Sequence, residues 1–256
     1  MLLHGLGARA DRWRQNIETF AREGYRVFAL DFPGHGFSEK SARTEHSVPA
    51  YARLVASFVR SVSAVGATTL IGTSLGGHVA ATAALDDPGA YCGVVLVGPV
   101  GLWELGADAR AAIASSIVDT TLEGIVRKLQ GVLHDAGRAT GDWIREEHMI
   151  NTSTGAEDAL AAIARYFRDD VDGDALGDER LRTLTASVPT LFVWGDDDRI
   201  IPLSLAERVE HLLETKVVRI PEAGHLPYLE NPSAFDAAVL GFLRSQAAAP
   251  ARPATS

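Results

Sequence analysis

Short apolar runs alternate with longer amphipathic stretches along most of the chain. Each run is four or five residues long, rich in Val, Ile, Leu or Thr, and flanked by Gly, Pro or Asp, which is typical of strands buried on both faces of a parallel sheet. The runs are Arg26–Leu30, Thr68–Ile71, Gly93–Val97, Thr190–Trp194 and Lys216–Ile220. Helical periodicity covers Trp13–Glu23, Pro49–Val65, Leu75–Leu85, Leu203–Leu213 and Ser233–Phe242. The alternation predicts an α/β fold, with a mostly parallel sheet and helices on both faces.

Residues 101–186 interrupt this alternation. Amphipathic helices without an intervening strand are predicted there, over Ala107–Val118, Leu122–Leu133, Trp143–Ile150 and Ala156–Phe167. A helical insertion between two strands of a parallel sheet usually covers the carboxyl end of the sheet, where ligands bind. We therefore expect a core of residues 1–100 and 187–246, a helical lid of residues 101–186, and a disordered tail of residues 247–256, which is rich in Ala and Pro.

Composition narrows the range of partners. The 256 residues include 24 Lys and Arg against 33 Asp and Glu, and the net charge is −9. Nucleic acids and anionic membranes attract clustered basic side chains, so we expect neither as a partner. Cys92 is the only cysteine and no residues have metal-ligand spacing, so we expect no disulfide, metal or cofactor. Because neither a membrane-spanning stretch nor a signal peptide is visible, we expect a cytoplasmic protein with a small-molecule substrate.

The sequence GTSLG at residues 72–76 is the strongest chemical signal. It lies between the predicted strand Thr68–Ile71 and the start of a predicted helix. A sharp strand-to-helix turn forces its central residue into strained dihedral angles and tolerates only small neighbours, which Gly72 and Gly76 provide. The turn would hold the Ser74 hydroxyl above the sheet, beside the positive end of the helix. Ser74 is therefore the predicted nucleophile, and the structural alternative is a serine that caps the helix.

A serine hydroxyl becomes an effective nucleophile only when a base removes its proton. Among eight histidines, His225 directly follows the last predicted strand, so we expect its imidazole at the same edge of the sheet as Ser74. The base in turn needs a carboxylate to fix its tautomer. Three adjacent aspartates, residues 196–198, follow the strand Thr190–Trp194. We predict Asp198 as the partner, because it lies past the tight turn and can fold back toward the histidine.

The oxyanion of an acyl-transfer reaction needs two backbone N–H donors, each contributing about 2.7–4 kcal/mol to catalysis. The amide of Leu75, directly after the nucleophile, is the first predicted donor. The sequence HGLG at residues 4–7 belongs to the loop after an early strand. We expect Leu6 in this loop to present the second amide.

Together these segments resemble the α/β-hydrolase superfamily in its serine branch. The matching sequences occur in the family's order and are HGLG, DFPGHGFS (residues 31–38), GTSLGG, WGDDDRIIP (residues 194–202) and AGHLPYLENP (residues 223–232). The chain order Ser…Asp…His is also that of this superfamily. The resemblance implies the α/β-hydrolase fold and a loop at residues 31–38 that shapes the pocket floor. Ser74 excludes the dehalogenase and epoxide-hydrolase branches, whose nucleophile is an aspartate.

Within the serine branches, GPVGL at residues 98–102 and the helical insertion resemble carbon–carbon hydrolases that cleave meta-cleavage products of aromatic degradation. Those enzymes usually have tryptophan after the catalytic histidine, where this chain has Leu226. Their lid carries an arginine for the substrate carboxylate, where this chain has Arg145 beside Glu146 and Glu147. Residues 100–187 hold 16 acids against nine bases, which disfavours a dicarboxylate substrate.

We therefore expect hydrolysis of esters of small, uncharged, moderately hydrophobic compounds through an acyl-enzyme. The alternatives are a carbon–carbon hydrolase, a cofactor-free haloperoxidase or perhydrolase, and a non-catalytic receptor-like scaffold, since each can keep the same three residues. Apolar side chains of the insertion are candidate substrate contacts, with packing inside the lid as the alternative role for each. They are Trp103, Leu105, Trp143, Met149 and Phe167.

The beginning of the chain departs from the family pattern. Only Met1, Leu2 and Leu3 precede the HGLG sequence, whereas the family supplies two further strands upstream. We expect these two strands to be missing because of a misplaced chain start. The strand at Arg26–Leu30 would then form an exposed edge of the sheet.

Overall fold

A parallel sheet of six strands forms the centre of the structure, a computed structural model that describes residues 1–41 and 43–248. The strands are β1 (Leu2–Leu3), β2 (Ala29–Leu30), β3 (Thr68–Thr73), β4 (Tyr91–Val97), β5 (Thr190–Gly195) and β6 (Val218–Ile220). Their order across the sheet is β2-β1-β3-β4-β5-β6, and all neighbours pair in parallel. The direction of strand progression reverses at β1, where β1 and β3 are neighbours. Ligands of open α/β sheets bind beyond the carboxyl ends of the strands at such a switch point.

Helices cover both faces of the sheet. Those of the core are α1 (Arg14–Arg22), α2 (Val48–Val62), α3 (Leu75–Asp86), α9 (Leu203–Leu213), α10 (Pro227–Glu230) and α11 (Pro232–Ala248). Those between β4 and β5 are α4 (Ala107–Val118), α5 (Leu122–Val132), α6 (Gly141–Asn151), α7 (Ala156–Asp169) and α8 (Gly177–Ser187). No helix within the described residues is both long enough and apolar enough to cross a bilayer.

Successive residues of β4 show why the sheet is buried on both faces. Val94 and Leu96 belong to an apolar cluster that includes side chains of α2 and α3. Val95 and Val97 belong to a second cluster, built with side chains of α1 and α11. Alternate side chains of a strand point to opposite faces, so a continuous apolar run serves two cores.

The five predicted strands are present, and one strand was missed. β2 is shorter than the predicted Arg26–Leu30, because it is the edge strand and its only neighbour is the two-residue β1. β2 lies at the edge of the sheet, as we expected for the strand at Arg26–Leu30. β1 was not predicted, since two apolar residues form no recognisable pattern, although Leu2 and Leu3 are fully buried.

The helical predictions are confirmed with two exceptions. Within residues 101–186 the predicted helices are all present, but α8 was missed. The prediction of a disordered tail from residue 247 is wrong for residues 247 and 248, because alanine is the strongest helix former and continues α11. The rest of the predicted tail lies outside the described residues.

The segment 101–186, called the insertion below, contacts loops that follow several strands. A Cβ atom on Gly34, after β2, would lie 2.9 Å from the side chain of Ile163. Leu176 donates a backbone hydrogen bond of 2.9 Å to Gly101, after β4. The insertion therefore lies at the carboxyl edge of the sheet, and its role as a movable lid stays a prediction.

Candidate active site

Ser74 forms the turn between β3 and α3. Its φ of 52° and ψ of −116° are strained for a residue with a side chain, at a typical cost of 1–3 kcal/mol. A Cβ atom on Gly72 would overlap the carbonyl of Gly76, and one on Gly76 would overlap the carbonyl of Leu3. The turn therefore requires glycine at both positions, as the GTSLG sequence predicts.

Backbone hydrogen bonds fix Ser74 against β4. Its N–H donates to the carbonyl of Val97 at 2.9 Å, and its own carbonyl accepts from Val100 at 3.3 Å. The side chain has a different status. The Ser74 hydroxyl forms no hydrogen bond with any residue that the structure describes, and it is therefore not bonded to the imidazole of His225. Backbone hydrogen bonds and the start of α3 therefore hold Ser74 in its strained conformation.

His225 and Asp198 form a buried pair. The Nδ1 atom of His225 lies 2.8 Å from Oδ2 of Asp198, and both side chains are at most 5% exposed. A carboxylate only accepts, so Nδ1 donates and the other ring nitrogen, Nε2, is left as the acceptor of neutral imidazole. The second oxygen of Asp198 accepts from the amides of Ile200 and Ile201, each at 2.9 Å. Three donors therefore hold this carboxylate in one orientation.

The other two aspartates of the turn have different surroundings. Asp196 is exposed, and Asp197 pairs with Arg199 at 2.6 Å and with the imidazole of His134 at 3.0 Å. Spacing from the end of the strand thus selected the one aspartate that contacts His225.

Gly98 connects the histidine pair with the nucleophile turn. A Cβ atom on Gly98 would lie 2.9 Å from Oδ2 of Asp198 and 3.4 Å from Nδ1 of His225. Gly98 follows Val97, whose carbonyl accepts from Ser74. Two adjacent residues at the end of β4 therefore contact the two halves of the predicted catalytic group, which brings all three residues to one edge of the sheet.

The loop HGLG passes beside the nucleophile. A Cβ atom on Gly5 would lie 3.2 Å from Cβ of Ser74, which puts Leu6 in the segment next to it. Leu75 is the first residue of α3, and the first amides of a helix have no partner within the helix. Both predicted oxyanion donors thus belong to segments at the nucleophile, while their catalytic role stays a prediction.

His4 shapes that loop as a neutral side chain. Its Nδ1 atom donates to the carbonyl of Gly5 at 2.7 Å, and its Nε2 atom accepts from the amide of Phe32 at 3.0 Å. Burial lowers the pKa of His4 to about 4. Burial also lowers the pKa of His35 to about 3 and that of His78 to about 4. These histidines are structural groups of the core near neutral pH.

His46 is a further structural histidine. It is buried, and its ring nitrogens lie 3.1 Å from the hydroxyl of Tyr51 and 3.0 Å from the carbonyl of Ser41. Within the described part of the chain, no group of three or more His, Cys, Asp or Glu side chains is arranged to hold a metal ion.

The predicted substrate contacts of the insertion have other neighbours. The indole of Trp103 donates to Asp178 at 2.6 Å and lies under the guanidinium of Arg208, 3.9 Å from the ring centroid, and its role as a substrate contact stays a prediction. Phe167 is buried against Tyr166, which matches the alternative role of packing inside the insertion, and its contact with substrate stays a prediction.

Trp143 and Met149 line a surface groove of about 620 Å³, and Met149 is 65% exposed. Trp143 also donates to Glu147 at 3.0 Å and lies under the guanidinium of Arg12. Leu105 is held by its amide, which donates to Asp172 at 2.7 Å.

Charged residues of α6 pair with the loop after β1. The guanidinium of Arg9 is 1% exposed and lies beside the carboxylates of Glu146 and Glu147. Arg12 also pairs with Glu147. Arg145, which the resemblance to carbon–carbon hydrolases singled out, is exposed and pairs with Asp142.

Sequence reasoning missed two residues that organise the site, Gly98 and Glu230. Gly98 has a φ of 45° at the point where the histidine pair approaches the backbone. Glu230 is a buried acid in an apolar turn, five residues after His225. The signal for Glu230 was present in AGHLPYLENP, because a charged side chain is rarely buried unless it has partners.

The fold, the strained serine turn and the buried histidine–aspartate pair define an α/β hydrolase. A family model for the alpha/beta hydrolase fold matches residues 1–232, so the chain belongs to that family and the resemblance is confirmed. Hydrolases are among the relatives that cover nearly the whole chain, and the family together with these names indicates that the chain is a hydrolase.

Two relatives and one solved structure illustrate the similarity. The 2-hydroxy-6-oxononadienedioate/2-hydroxy-6-oxononatrienedioate hydrolase of Burkholderia vietnamiensis is 29% identical, covering 95% of this chain and 86% of its own. The 2-hydroxy-6-oxo-6-(2'-aminophenyl)hexa-2,4-dienoic acid hydrolase of Metapseudomonas resinovorans is also 29% identical, and the match covers 96% of this chain and 84% of that protein. The crystal structure of a serine hydrolase involved in carbazole degradation has a TM-score of 0.78 and 26% identity, over 95% and 90%.

Proposed function

We propose that this protein is a serine hydrolase in which Ser74 is the nucleophile, His225 the general base and acid, and Asp198 the group that orients the imidazole. The observation that carries the proposal is the buried bond between Nδ1 of His225 and Asp198, beside a strained serine turn. A strained turn is costly to maintain, so its presence at a ligand-binding edge supports a functional role.

The reaction proceeds in two steps. Nε2 of His225 takes the hydroxyl proton of Ser74 as the oxygen attacks the substrate carbonyl, and the amides of Leu6 and Leu75 stabilise the oxyanion. His225 then gives that proton to the leaving group, which departs and leaves an acyl-enzyme. A water molecule, deprotonated by His225, attacks the acyl carbonyl, and the proton returns to Ser74 as the acid product is released.

The free Ser74 hydroxyl is compatible with this scheme. Catalytic hydrogen bonds are often long or poorly aligned without substrate and tighten only in the complex. The backbone of Ser74 and the side chain of His225 are both anchored, and we expect the hydrogen bond between them to form in the complex with substrate.

Charge at the insertion favours uncharged substrates. Arg9 and Arg12 are paired with Glu146 and Glu147, and Arg145 is paired with Asp142. A substrate carboxylate would have to displace one of these acids from its arginine. Esters of small, uncharged, moderately hydrophobic compounds need no such exchange and are the proposed substrates.

A second candidate is hydrolysis of a carbon–carbon bond in a dienol-ketone of the meta-cleavage type. The names of the relatives that cover nearly the whole chain favour it. Leu226 and the pairing of Arg145 favour the ester reading, because they replace the tryptophan and the free arginine that the resemblance implies for such enzymes.

A substrate comparison separates the two candidates. We expect kcat/KM for p-nitrophenyl esters of short fatty acids to exceed that for a meta-cleavage dienol-ketone by at least about tenfold, which corresponds to about 1.4 kcal/mol of transition-state stabilisation. Ser74→Ala serves as the control and should lose both activities. Faster cleavage of the dienol-ketone would overturn the ester assignment, and full ester activity in Ser74→Ala would overturn the serine mechanism.

A further inference from the structure

The loop that carries His225 is in direct backbone contact with the insertion. The amide of His225 donates to the carbonyl of Val132 at 2.8 Å. A Cβ atom on Gly224 would lie 2.7 Å from the amide nitrogen of His134 and 2.8 Å from the carbonyl oxygen of Val132. The segment after α5 and the segment before the histidine therefore approach as closely as glycine allows.

Glu230 holds these two segments together. It is the last residue of α10 and is 5% exposed. One oxygen of its carboxylate accepts from the amide of His134 at 2.6 Å, and the other accepts from the amide of Gly224 at 2.8 Å. The same side chain thus bridges the core and the insertion through one buried and one partly buried hydrogen bond.

The segment at residues 132–134 also reaches the aspartate loop. The imidazole of His134 lies 3.0 Å from Asp197, the residue before Asp198. One short piece of the insertion therefore contacts the loops of both the predicted base and its carboxylate partner. A displacement of this piece would move the two loops relative to each other.

The geometry points to Glu230 as a positioning residue that keeps His225 bonded to Asp198 and ties that bond to the insertion. This inference rests on the proposed function. Glu230 acts through the backbone of Gly224 and does not touch the reacting atoms. Only a carboxylate offers an acceptor to both amides, because the side chain of glutamine has one acceptor and one donor group.

The test uses Glu230→Gln, which keeps the shape of the side chain and sets an amide N–H against one backbone N–H. We expect kcat for a p-nitrophenyl ester to fall by about 10–10²-fold, since small displacements of catalytic groups have effects of this size. We expect KM to stay within about twofold, because the substrate is not contacted.

Asp236→Asn is the matched control. Asp236 is a buried acid in α11, and its carboxylate accepts from the side chain of Asn16 at 2.7 Å rather than from the backbone amides of Gly224 and His134. We expect this variant to lower thermal stability and to leave kcat unchanged. If Glu230→Gln lowers kcat no more than Asp236→Asn does at a comparable loss of stability, Glu230 is merely a structural acid and the inference fails.

A spectroscopic measurement tests the positioning role without turnover. The Nδ1 proton of an imidazole that donates to a carboxylate gives a downfield proton NMR resonance, and loss of that resonance in Asp198→Asn assigns it to His225. We expect Glu230→Gln to shift or broaden it, and Asp236→Asn to leave it unchanged. An unchanged resonance in Glu230→Gln contradicts the inference, whatever substrate the enzyme cleaves.

Gly224→Ala provides a second route if Glu230→Gln does not fold. Its added methyl group separates the same two segments from the other side and leaves the carboxylate in place. The same loss of kcat and the same change in the His225 resonance are expected. Wild-type values for both would overturn the inference.

Discussion

On the histidine side of the site, the insertion meets the core through backbone groups; on the side of the loop after β1, it meets the core through charged side chains. Glu230 and the carbonyl of Val132 hold the first contact with short, buried hydrogen bonds to amides. The second contact consists of Arg9 and Arg12 with the carboxylates of α6. The first contact fixes the position of the proposed base, and the second balances charge near the predicted oxyanion loop.

The two contacts should respond differently to change. Backbone hydrogen bonds depend on close approach and are insensitive to side-chain substitution on the insertion. A buried ion pair depends on both charges, because removal of one leaves the other without compensation in a medium of low polarity. We therefore expect side-chain substitutions on the insertion to perturb the charged side more than the histidine side.

The largest expected effect on kcat comes from substitution of His225 itself. His225→Gln removes the proposed base, and kcat should fall on the order of 10⁶-fold, as for other enzymes with such a triad. His134→Gln is the control on the same side, since the imidazole of His134 contacts the half-buried carboxylate of Asp197 rather than that of Asp198. Steady-state ester hydrolysis measures both. Comparable losses in the two variants would contradict the assignment of the base.

Substitutions on the charged side should change the free energy of unfolding rather than kcat. Glu147→Leu removes the buried carboxylate that Arg9 and Arg12 share, and the free energy of unfolding should fall by up to about 3 kcal/mol, because Arg9 keeps its pairs with Asp11 and Glu146. Asp142→Asn breaks the exposed pair with Arg145 and should cost less than about 1 kcal/mol. Urea unfolding measures both values. Equal costs would mean that the Arg9 cluster behaves as an ordinary surface ion pair.

Acid should lower the free energy of unfolding of the core to which both contacts attach the insertion. The pKa values of His4 and His78 are lowered by burial from 6.5 to about 4, so the unfolded chain binds more protons than the folded one between these pH values. Stability is therefore complete above pH 6.5 and falls as the pH decreases toward 4, by up to about 3 kcal/mol for each histidine.

Unfolding by urea at pH 7 and pH 5 measures this loss. The exposed residue His211 provides the control, because His211→Gln should leave the pH dependence unchanged. Equal stability at the two pH values would show that the buried histidines can accept protons without unfolding.

The smallest effect is expected at the outer surface of the insertion. Trp103→Phe removes the hydrogen bond to Asp178 and keeps an aromatic ring beside Arg208. Because this indole contacts neither attachment, kcat/KM should change by less than about twofold. A larger change in kcat/KM would support the predicted role of Trp103 as a substrate contact.

The sequence predicted those parts of the site that depend on local geometry. The GTSLG turn requires small neighbours around a strained serine, and the position of Asp198 follows from its distance to the end of β5. Both constraints act within a few residues, so a pattern can reveal them. The two-residue strand β1 escaped prediction, because its burial depends on pairing with β2 and β3 rather than on its own composition.

The attachments of the insertion could not be predicted, because they join residues far apart in the chain. Glu146 and Glu147 were interpreted as acids that disfavour a dicarboxylate, and their partners Arg9 and Arg12 lie more than 130 positions earlier. The pairing of Glu230 with His134 spans 96 positions. Such contacts leave only a weak trace in the sequence, namely a charged residue inside an apolar stretch.

Covalent labelling with a fluorophosphonate tests the central claim most directly, namely that His225 and Asp198 activate Ser74. Peptide mass spectrometry after brief exposure should find the label on Ser74 of the wild-type protein. The rate of labelling should fall by at least about 10³-fold in His225→Gln. A label on another residue, or an equal rate of labelling in His225→Gln, would contradict the account.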